Sequence, residues 1–383
     1  MTTPLRCAII GAGVISQRHT GVLADLAPEV AVAAVVDPDL GRAAAVRDRG
    51  DLRTRGKPLG ATAYADLGSA TAELDLDIAV VCTPSGVHAD TAIEALRAGR
   101  HVVIEKPADI AVARIDQIAD AQRASRTEVT VISQHRFDQA TEIVADAITR
   151  GELGRLTSAV ATVDWRRGES YYASGFGRGS WAVDGGGALM TQGVHTVDLL
   201  IALMGAPVEV FGYAEALAHS GIETEDVAAG VVRFASGAVA ALHASTAAYP
   251  GLTTRLQIHG DRGSAVIEND QLVYLHATAA GTTAPEIALG GKGEGNQVGD
   301  LGPLDRNRDA MAAQYRNFIA AIRGREQVRV GLAENRAAVA LDTGLYESAR
   351  TGRPVRLDGG RPRSAEPAPA GALAGTGRSR TEA

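Results

Sequence analysis

The sequence predicts an α/β fold: an N-terminal doubly wound parallel sheet, followed by a C-terminal α/β domain with a large, mostly antiparallel open sheet. Over about the first 130 residues, short β-rich runs alternate with Ala-rich helical stretches, which is the pattern of a parallel sheet covered by helices. From about Leu156 onward, extended runs follow one another closely across tight turns, which is typical of antiparallel strands. The 383 residues are enough for two such domains.

Each predicted strand is a short run rich in β-branched residues and bounded by turn residues. In the first domain the predicted strands are Leu5–Ile10, Val30–Val36, 78–82, His101–Ile104 and 128–132, and the clearest helical patterns between them are 86–98 and 109–125. In the second domain the predicted strands are 156–165, 208–216, Val227–Phe234, 238–245, 254–259 and Ser264–Glu268, and the predicted helices are 187–203, 307–322 and 333–349.

These elements divide the chain into a first domain over 1–135 and a second over 136–357. The Gly-rich stretch 281–302 is expected to be a surface loop. The Pro, Ala, Gly, Ser and Arg composition of 358–383 predicts a disordered tail, because it offers too little apolar area to offset the entropy of ordering.

Composition excludes several classes of protein. A net charge of −7 and a pI near 5.8 give no basic surface for nucleic acid or for an anionic membrane. The two cysteines, Cys7 and Cys82, lie in apolar runs and are expected to be reduced core residues. The first strand begins almost at the N-terminus, so no signal peptide is expected, and no apolar run reaches the ~20 residues of a membrane span. The expected location is the cytoplasm.

A glycine motif joins the first predicted strand to the first predicted helix. Gly11 and Gly13 match the first two glycines of the dinucleotide-binding fingerprint, with Ser16 in place of the third. Gly11 allows the tight turn, Gly13 lets the backbone approach a pyrophosphate, and Ser16 is small and could cap the helix. The free N–H groups of the first turn, at Val14 and Ile15, and the helix dipole favour phosphate.

Asp37 ends the second predicted strand, 26 residues after Gly11. A carboxylate at this position can accept hydrogen bonds from the ribose hydroxyls of an adenosine, and it would repel a 2′-phosphate. The sequence therefore predicts NAD as the cofactor, in preference to NADP. Arg42 lies nearby and could hold a phosphate, which keeps NADP as the alternative.

Two further motifs carry groups able to move a proton. Lys106, in Glu105-Lys106-Pro107, follows the predicted strand His101–Ile104, at the strand end where ligands of open α/β sheets bind. His195 lies in the predicted helix 187–203, after three consecutive glycines, and its imidazole has an intrinsic pKa suited to proton transfer. Asp198, three residues further, is expected to orient the His195 ring, and Thr191, four residues earlier, to share its helix face.

Together these motifs resemble the glucose–fructose oxidoreductase/inositol dehydrogenase (Gfo/Idh/MocA) family. The resemblance runs from about Leu5 to about Leu357. It implies an N-terminal Rossmann domain, a second domain whose open sheet often forms a homodimer or homotetramer interface, and nicotinamide-dependent oxidation or reduction on a sugar, sugar derivative or cyclitol. The tract from Tyr171 to Gly187 looks closest to the sugar-nucleotide dehydrogenases of the family.

The resemblance also assigns roles residue by residue. Lys106 matches the catalytic lysine and His195 the active-site histidine. The residues expected at the nicotinamide end of the cofactor site are Thr83, Pro84, His88, Glu105 and Lys106 itself. Those expected to bind the substrate from the matched motifs are Gln134, Arg136, Thr191 and His195. The inositol-dehydrogenase pattern has an Asp where this chain has Thr191, so the resemblance does not extend to an Asp–His pair.

The second domain offers polar and aromatic side chains suited to a sugar. They include Arg166, Arg167, Tyr171, Tyr172, Trp181 and His219. The spacing of His219, Glu223 and Asp226 fits no zinc template, so no metal is expected. Two alternatives remain beside the dehydrogenase: a cofactor-bound sensor without turnover, which would not need both Lys106 and His195, and a redox-assisted glycoside-cleaving enzyme, which would need the same residues.

Overall fold

The computed structural model describes residues 3–49, 59–174, 177–278, 310–358 and 361–364. The first domain is built on a six-stranded, fully parallel sheet in the order β3-β2-β1-β4-β5-β6. Its strands are β1 (Leu5–Ile10), β2 (Val30–Val36), β3 (Thr62–Tyr64), β4 (Ile78–Val81), β5 (His101–Ile104) and β6 (Val129–Val131). The predicted doubly wound sheet is confirmed, and its strand order reverses between β1 and β4, where such sheets bind nucleotides.

Helices cover both faces of this sheet. They are α1 (Val14–Asp25), α2 (Leu40–Arg49), α3 (Leu67–Glu73), α4 (His88–Arg97) and α5 (Val112–Ser125). The central strands are buried on both faces, so they appear in the sequence as continuous apolar runs with no alternation. The pattern expected over 86–98 is a short 3₁₀ turn, Ser85–Val87, followed by α4.

The second domain is built on a nine-stranded mixed sheet, ordered β13-β12-β11-β7-β10-β9-β8-β14-β15. Its strands are β7 (Leu156–Asp164), β8 (Pro207–Glu215), β9 (Val227–Phe234), β10 (Val239–Ser245), β11 (Thr254–Gly260), β12 (Ser264–Glu268), β13 (Gln271–His276), β14 (Val355–Asp358) and β15 (Arg361–Ser364). All pairings are antiparallel except that of β7 with β10, which confirms the mostly antiparallel sheet.

Helices α6 (Gln139–Thr149), α9 (Val194–Met204) and α11 (Leu332–Thr351) cover one face of the mixed sheet. The other helices of this part of the chain are α7 (Glu169–Ala173), α8 (Trp181–Asp184) and α10 (Ala310–Ile322). The core beneath them joins α9 and α11 to the inward residues of the strands, such as Leu200, Leu341 and Leu242. On the other face Tyr213, Val231 and Val239 are 62%, 55% and 48% exposed.

The last two helices also pack on the first sheet, although they follow the second domain in sequence. Phe318 and Ile319 of α10 lie in one core with Ile9 of β1, and Val339 of α11 lies in another with Ile104 of β5. The region assigned from sequence to 136–357 therefore contributes to both cores, and the two sheets are joined by more than one crossing of the chain.

Four residues of the expected disordered tail form a strand instead. Arg361–Ser364 form β15, which pairs antiparallel with β14, because an edge strand presents free backbone groups that a following hairpin strand can satisfy. Residues 365–383 and the Gly-rich stretch 281–302 lie outside the described residues.

One stretch of the described chain, Trp181–Met204, is long and apolar enough to resemble a membrane span. Its most apolar window is 78% buried inside the protein, which is what a core helix shows. The stretch is also not a single helix: α8 is followed by a π-helical turn over Ala188–Gly193, and only then by α9.

Candidate cofactor and active site

The glycine motif forms the turn between β1 and α1. Gly11 has a φ of +97°, and a Cβ there would lie 2.7 Å from the carbonyl carbon of Cys82 at the end of β4, so only glycine fits. At Gly13 an added Cβ would meet no described atom within 4 Å. The loop is therefore closed against the sheet at Gly11 and open on the side of Gly13.

The N-terminus of α1 opens toward the same side. No side chain caps the helix, and Val14 in its first turn is 80% exposed, so the first amide groups, including those of Val14 and Ile15, are left for a ligand. The proposed capping role of Ser16 is wrong, because its buried hydroxyl donates to the Gly13 carbonyl oxygen at 2.6 Å. Ser16 instead ties the helix to the loop.

Asp37 lies immediately after β2 and is held against the glycine loop. Its Oδ2 accepts from the backbone N–H of Ala12 at 2.8 Å, and its Oδ1 accepts from the N–H of Asp39 at 3.0 Å. Arg42 approaches Oδ2 only to 4.0 Å. The carboxylate is thus fixed in orientation beside the loop, with acceptor capacity left on both oxygens.

The loop after β4 contributes Thr83 and Pro84. The Thr83 hydroxyl is buried and has no hydrogen-bond partner among the described residues. His88 does not line the opening as expected: it is buried, and its ring nitrogens lie 2.7 Å from the carbonyl oxygens of Thr83 and Pro107. His88 therefore ties the end of β4 to the loop after β5 and supports the site from behind.

Glu105, directly after β5, is part of a buried hydrogen-bonded chain. Its Oε1 lies 2.8 Å from His19 Nε2, and His19 Nδ1 lies 2.7 Å from the Tyr315 hydroxyl on α10. Burial alone would lower the pKa of His19, but contacts with Cys82 and Glu105 raise it to about 10. Glu105 is therefore engaged beneath the site, and its Oε2 also accepts from the Lys106 backbone N–H at 3.1 Å.

Lys106 reaches from the first domain to the second. Its Nζ donates to the carbonyl oxygen of Thr191 at 2.9 Å. Burial lowers the pKa of the Lys106 ammonium, and the negative charges of Glu105 and Asp184 oppose this only in part. A half-buried lysine whose pKa is lowered in this way can exchange a proton closer to neutral pH than a surface lysine can.

The acceptor for Lys106 lies in the π-helical turn that precedes α9. Glu225 holds the start of this turn, because its carboxylate accepts from the N–H groups of Gly187 and Leu189 at 2.7 and 2.9 Å. The Thr191 hydroxyl donates to the Gly187 carbonyl oxygen at 2.7 Å. Thr191 thus contacts Lys106 through its backbone carbonyl. Thr191 and His195 do not share one face of an α-helix as expected, because Thr191 lies in the π-helical turn and His195 in α9.

His195 lies in the first turn of α9, on the same side as Lys106. Neither of its ring nitrogens has a hydrogen-bond partner within the described part of the chain. Burial and the positive charges of Lys106, His135 and Arg18 lower the pKa of the ring well below its ordinary value. The ring is therefore neutral near pH 7 and free to accept a hydrogen bond or a proton.

Two expected contacts of this region are wrong. Asp198 does not orient His195, because its carboxylate is bound in bidentate fashion by Arg136, with Nε–Oδ2 at 2.7 Å and Nη2–Oδ1 at 2.8 Å. Arg136, expected near the substrate, is therefore occupied by this buried ion pair between the domains. Gln134 beside it keeps a buried Oε1 without a partner among the described residues.

The second domain supplies a polar and aromatic wall. Arg167 donates to Gln192 Oε1 at 2.7 Å and lies over the rings of Trp165 and Tyr171, at 4.8 and 5.4 Å from their centroids. Gln192, the neighbour of Thr191, donates in turn to the Tyr171 hydroxyl at 3.0 Å. This connected set links the wall to the residue that holds Lys106.

The other expected substrate residues lie around this wall. Arg166 Nη1 donates to the Arg167 carbonyl oxygen at 2.6 Å and contacts His219 Nε2 at 2.8 Å, and the Tyr172 hydroxyl lies 2.7 Å from Thr246 Oγ1. Trp181 is 43% exposed and packs edge-on against Tyr346. Trp181 is therefore the most available of these groups for stacking on a ligand.

The expected absence of a metal at His219 rested on spacing, and the geometry gives these side chains other roles. His219 Nδ1 lies 2.9 Å from Asp226 Oδ2, whose carboxylate also accepts from the backbone N–H groups of Leu217 and Ala218. Glu223 accepts from the Trp181 N–H at 3.2 Å. These contacts fix the loop between β8 and β9 beneath the aromatic wall.

The residues present fit a dinucleotide. Gly11 can turn only as glycine, the loop is open at Gly13, an uncapped helix N-terminus faces that opening, and Asp37 is fixed where an adenosine ribose would be recognised. The unpartnered Thr83 hydroxyl lies further along the same sheet edge, toward Lys106. The edge from Asp37 to Lys106 is the carboxyl end of the parallel strands.

Comparison with known proteins agrees with this geometry. Residues 5–135 match the model of the oxidoreductase family with an NAD-binding Rossmann fold, and residues 141–266 match that of the GFO/IDH/MocA C-terminal domain. Inositol 2-dehydrogenase of Rhizobium meliloti is 27% identical over 75% of this chain and 82% of its own length. The scyllo-inositol 2-dehydrogenase (NAD(+)) of Bacillus subtilis is 25% identical over 94% of this chain and 98% of its own.

Solved structures give the same result. The WlbA dehydrogenase from Bordetella pertussis, crystallised with NADH and UDP-GlcNAcA, superposes with a TM-score of 0.79 at 27% identity, over 93% of this chain and 99% of its own. Fold, cofactor cradle and sequence similarity thus agree over both domains. The chain belongs to the GFO/IDH/MocA family of NAD-binding oxidoreductases.

Proposed function

We propose that this protein oxidises a secondary hydroxyl of a sugar, sugar derivative or cyclitol with NAD, or reduces the corresponding ketone. The observation that carries the proposal is the pairing of Lys106 and His195. Lys106 follows the end of β5 and His195 lies in α9, both have lowered pKa values, and His195 is near enough to Lys106 for that positive charge to lower its pKa. A site with two such groups is built to move a proton.

Oxidation of an alcohol removes a hydride, which NAD accepts when bound, and a proton, which the protein must take. Lys106 Nζ donates one hydrogen bond to the Thr191 carbonyl oxygen. Its remaining N–H groups can donate to the substrate oxygen, and its lone pair can accept the substrate proton when the amine is neutral. His195 is neutral and free on its nitrogens, so it can accept the same proton. In reduction, the same two groups return a proton to the forming alkoxide.

Substrate recognition is proposed for the wall formed by Arg167, Tyr171, Gln192 and Trp181. Forked donors and an exposed indole suit hydroxyl groups and sugar faces. Among the relatives, the WlbA dehydrogenase was crystallised with a sugar nucleotide, and the match covers nearly the whole of both chains. We therefore place sugar nucleotides first among the substrates, followed by inositols and free sugars.

The test is a substrate screen. The full-length protein is mixed with NAD and, in parallel, with sugar nucleotides, inositols and aldoses, and the absorbance of the reduced nicotinamide is followed. We expect turnover with at least one sugar or cyclitol. Tight NAD binding with no turnover on any of them, in either direction, would instead favour a sensor.

Cofactor choice gives a separate prediction at Asp37. Replacing Asp37 by Ala removes the carboxylate beside the glycine loop, and with it the repulsion of a 2′-phosphate. We expect the wild type to prefer NAD in kcat/KM, and Asp37→Ala to lose most of that preference, roughly tenfold or more, as expected for a hydrogen bond to a charged group. A wild type that prefers NADP, or a variant with undiminished NAD preference, would contradict this.

Association is predicted through the uncovered face of the mixed sheet. Tyr213, Val231 and Val239 give this face exposed apolar side chains on adjacent strands. We expect a homodimer or homotetramer, measured by light scattering at micromolar concentration. Val231→Glu, which places a charge in the centre of the face, should yield monomers, whereas a wild-type monomer would rule the interface out.

The proposed location is the cytoplasm. Cys7 and Cys82 are both buried and unpaired, as in proteins of reducing compartments. NAD-linked oxidation of a small metabolite also fits that location.

A further inference from the structure

The environment of His195 includes a second histidine. The His135 ring, in the turn after β6, packs edge-to-face against the His195 ring, with centroids 4.9 Å apart and planes at 79°. Neither nitrogen of His195 has a hydrogen-bond partner within the described residues, so the ring contact with His135 is not accompanied by a hydrogen bond that fixes the ring. His135 therefore bears directly on how the proposed proton acceptor is held.

His135 is itself clamped by two carboxylates. Its Nδ1 lies 2.8 Å from Asp138 Oδ2, just before α6, and 3.0 Å from Asp270 Oδ1, in the turn between β12 and β13. The ring nitrogen and the two carboxylate oxygens all lie within 4.8 Å of one another, so the two carboxylates share the ring N–H. Asp270 has a φ of +63°, so a turn of the second domain's sheet is shaped to deliver this carboxylate.

The two carboxylates favour the charged ring. Burial opposes a positive charge on His135, but the hydrogen bonds and charges of Asp138 and Asp270 prevail and raise its pKa to about 9. The carboxyls respond differently: burial raises the pKa of Asp138, whereas for Asp270 the contact with His135 outweighs burial and lowers it. Asp270 is therefore the clearer counter-ion.

The other nitrogen of His135 can also be satisfied in the charged form. Nε2 lies 3.1 Å from the Gln134 amide nitrogen, while the amide oxygen of Gln134 is buried and unpartnered among the described residues. With the amide turned over, that oxygen accepts from the ring Nε2–H. Both N–H groups of the cation then have acceptors.

The other charged groups near the His135 and His195 rings come from several elements. Lys106 from the loop after β5 and Arg18 from α1 act on His195 with positive charge, as His135 does. Arg18 also faces Asp138 and Asp270, and Asp198 is paired with Arg136. The charges that act on His195 are therefore positive, whereas His135 is in contact with two carboxylates.

We propose that His135 is a positioning residue for the proton transfer: held as a cation between Asp138 and Asp270, it supports the His195 ring edge-on and keeps that ring uncharged and ready to accept the substrate proton. The inference rests on the role proposed for His195. It adds a link between the second domain's sheet and the chemistry, because Asp270 contacts His135 and the His135 ring contacts His195.

The test follows the rings directly, without substrate. Histidine-labelled wild type, His135→Gln and Asp270→Asn are titrated by imidazole NMR, with His195→Gln used to assign the His195 signals. Asn suits the left-handed backbone at position 270, so the fold should be kept. His101→Gln is the control, because His101 lies at the start of β5, at the opposite end of the strand from Lys106, where its Nδ1 accepts from the Glu128 N–H at 2.9 Å.

We expect His195 in the wild type to stay neutral down to a pH well below the ordinary histidine range, and to titrate about one pH unit higher in His135→Gln, as loss of a nearby cation predicts. In Asp270→Asn the His135 signal itself should titrate at lower pH, because one of its two carboxylate partners is gone. The control should leave both titrations unchanged. The acid limb of kcat/KM should move upward in His135→Gln, with NAD binding intact. An unchanged His195 titration in folded His135→Gln would overturn the proposal. A shifted titration in a protein that turns over no substrate would uphold the linkage and reject only the proposed function.

Discussion

Replacing Lys106 by Ala is expected to lower kcat by about 10²–10⁴-fold, the usual cost of removing a general acid or base. Lys106 is the half-buried lysine after the end of β5, and its Nζ donates to the Thr191 carbonyl oxygen of the second domain. Its distance along the sheet edge from Gly11 and Asp37 means that NAD affinity should change little. The measurement is kcat for the substrate found in the screen, with a separate NAD titration.

Thr191→Val is the matched control for this prediction. It removes the hydroxyl that donates to Gly187 but keeps the backbone carbonyl that accepts from Lys106. Its loss in kcat should be much smaller, because a neutral hydroxyl cannot take a proton at neutral pH. Near-normal turnover by Lys106→Ala would refute the proposed role of Lys106, and a large loss of NAD affinity would show that it holds the cofactor instead.

Replacing His195 by Gln is expected to cost a comparable factor, or somewhat less if Lys106 alone takes the proton. The loss should depend on pH. A proton acceptor works only in its deprotonated form, and burial together with Lys106, His135 and Arg18 lowers the pKa of His195. Wild-type kcat/KM should therefore persist on the acid side to a pH below the ordinary histidine range, and fall as the pH drops through the lowered pKa.

In His195→Gln that acid limb should disappear along with most of the rate. The measurement is the pH profile of kcat/KM for both proteins. His101→Gln serves again as the control, because it removes a histidine at the start of β5, at the opposite end of the strand from Lys106. If His195→Gln kept both the rate and the acid limb, another group would be the one titrating.

The fold was predictable where burial alone determines the residue type. The central strands β1, β2, β4 and β5 are buried runs of β-branched residues, and their predicted positions are correct almost to the residue. The strand Thr62–Tyr64 was missed because it has three residues, of which only Tyr64 is buried. The parallel pairing of β7 with β10 also could not be predicted. The alternation of apolar and polar residues indicates that a strand is present, but it does not identify the neighbouring strand.

The site was predictable where local geometry carries the function. The turn at Gly11 and the strand-end position of Lys106 are properties of short segments, and each occupies the expected edge of the sheet. Contacts between distant segments were not. His88 is hydrogen-bonded to the Pro107 carbonyl oxygen, and Asp198 is paired with Arg136. These partners are set by the tertiary fold, because buried polar groups must be hydrogen-bonded to whatever lies next to them.

Three participants were not predicted as site residues from the sequence. Glu225 holds the π-helical turn from 38 residues away, His135 is clamped by a turn 135 residues later, and Gln192 joins the wall to Thr191 only because that turn presents it there. Gln192 alone had a hint, since it lies in the recognised motif between Thr191 and His195. The others are ordinary polar residues until the two domains meet.

The most direct test of the account is the single-turnover rate of NADH formation for wild type, Lys106→Ala, His195→Gln and the double variant, at saturating NAD and substrate. If both side chains serve one proton transfer, removing either disables it, and the double variant should be about as slow as the slower single variant. Losses that multiply would show that the two residues act in separate steps. A Lys106→Ala rate near that of the wild type would contradict the account outright.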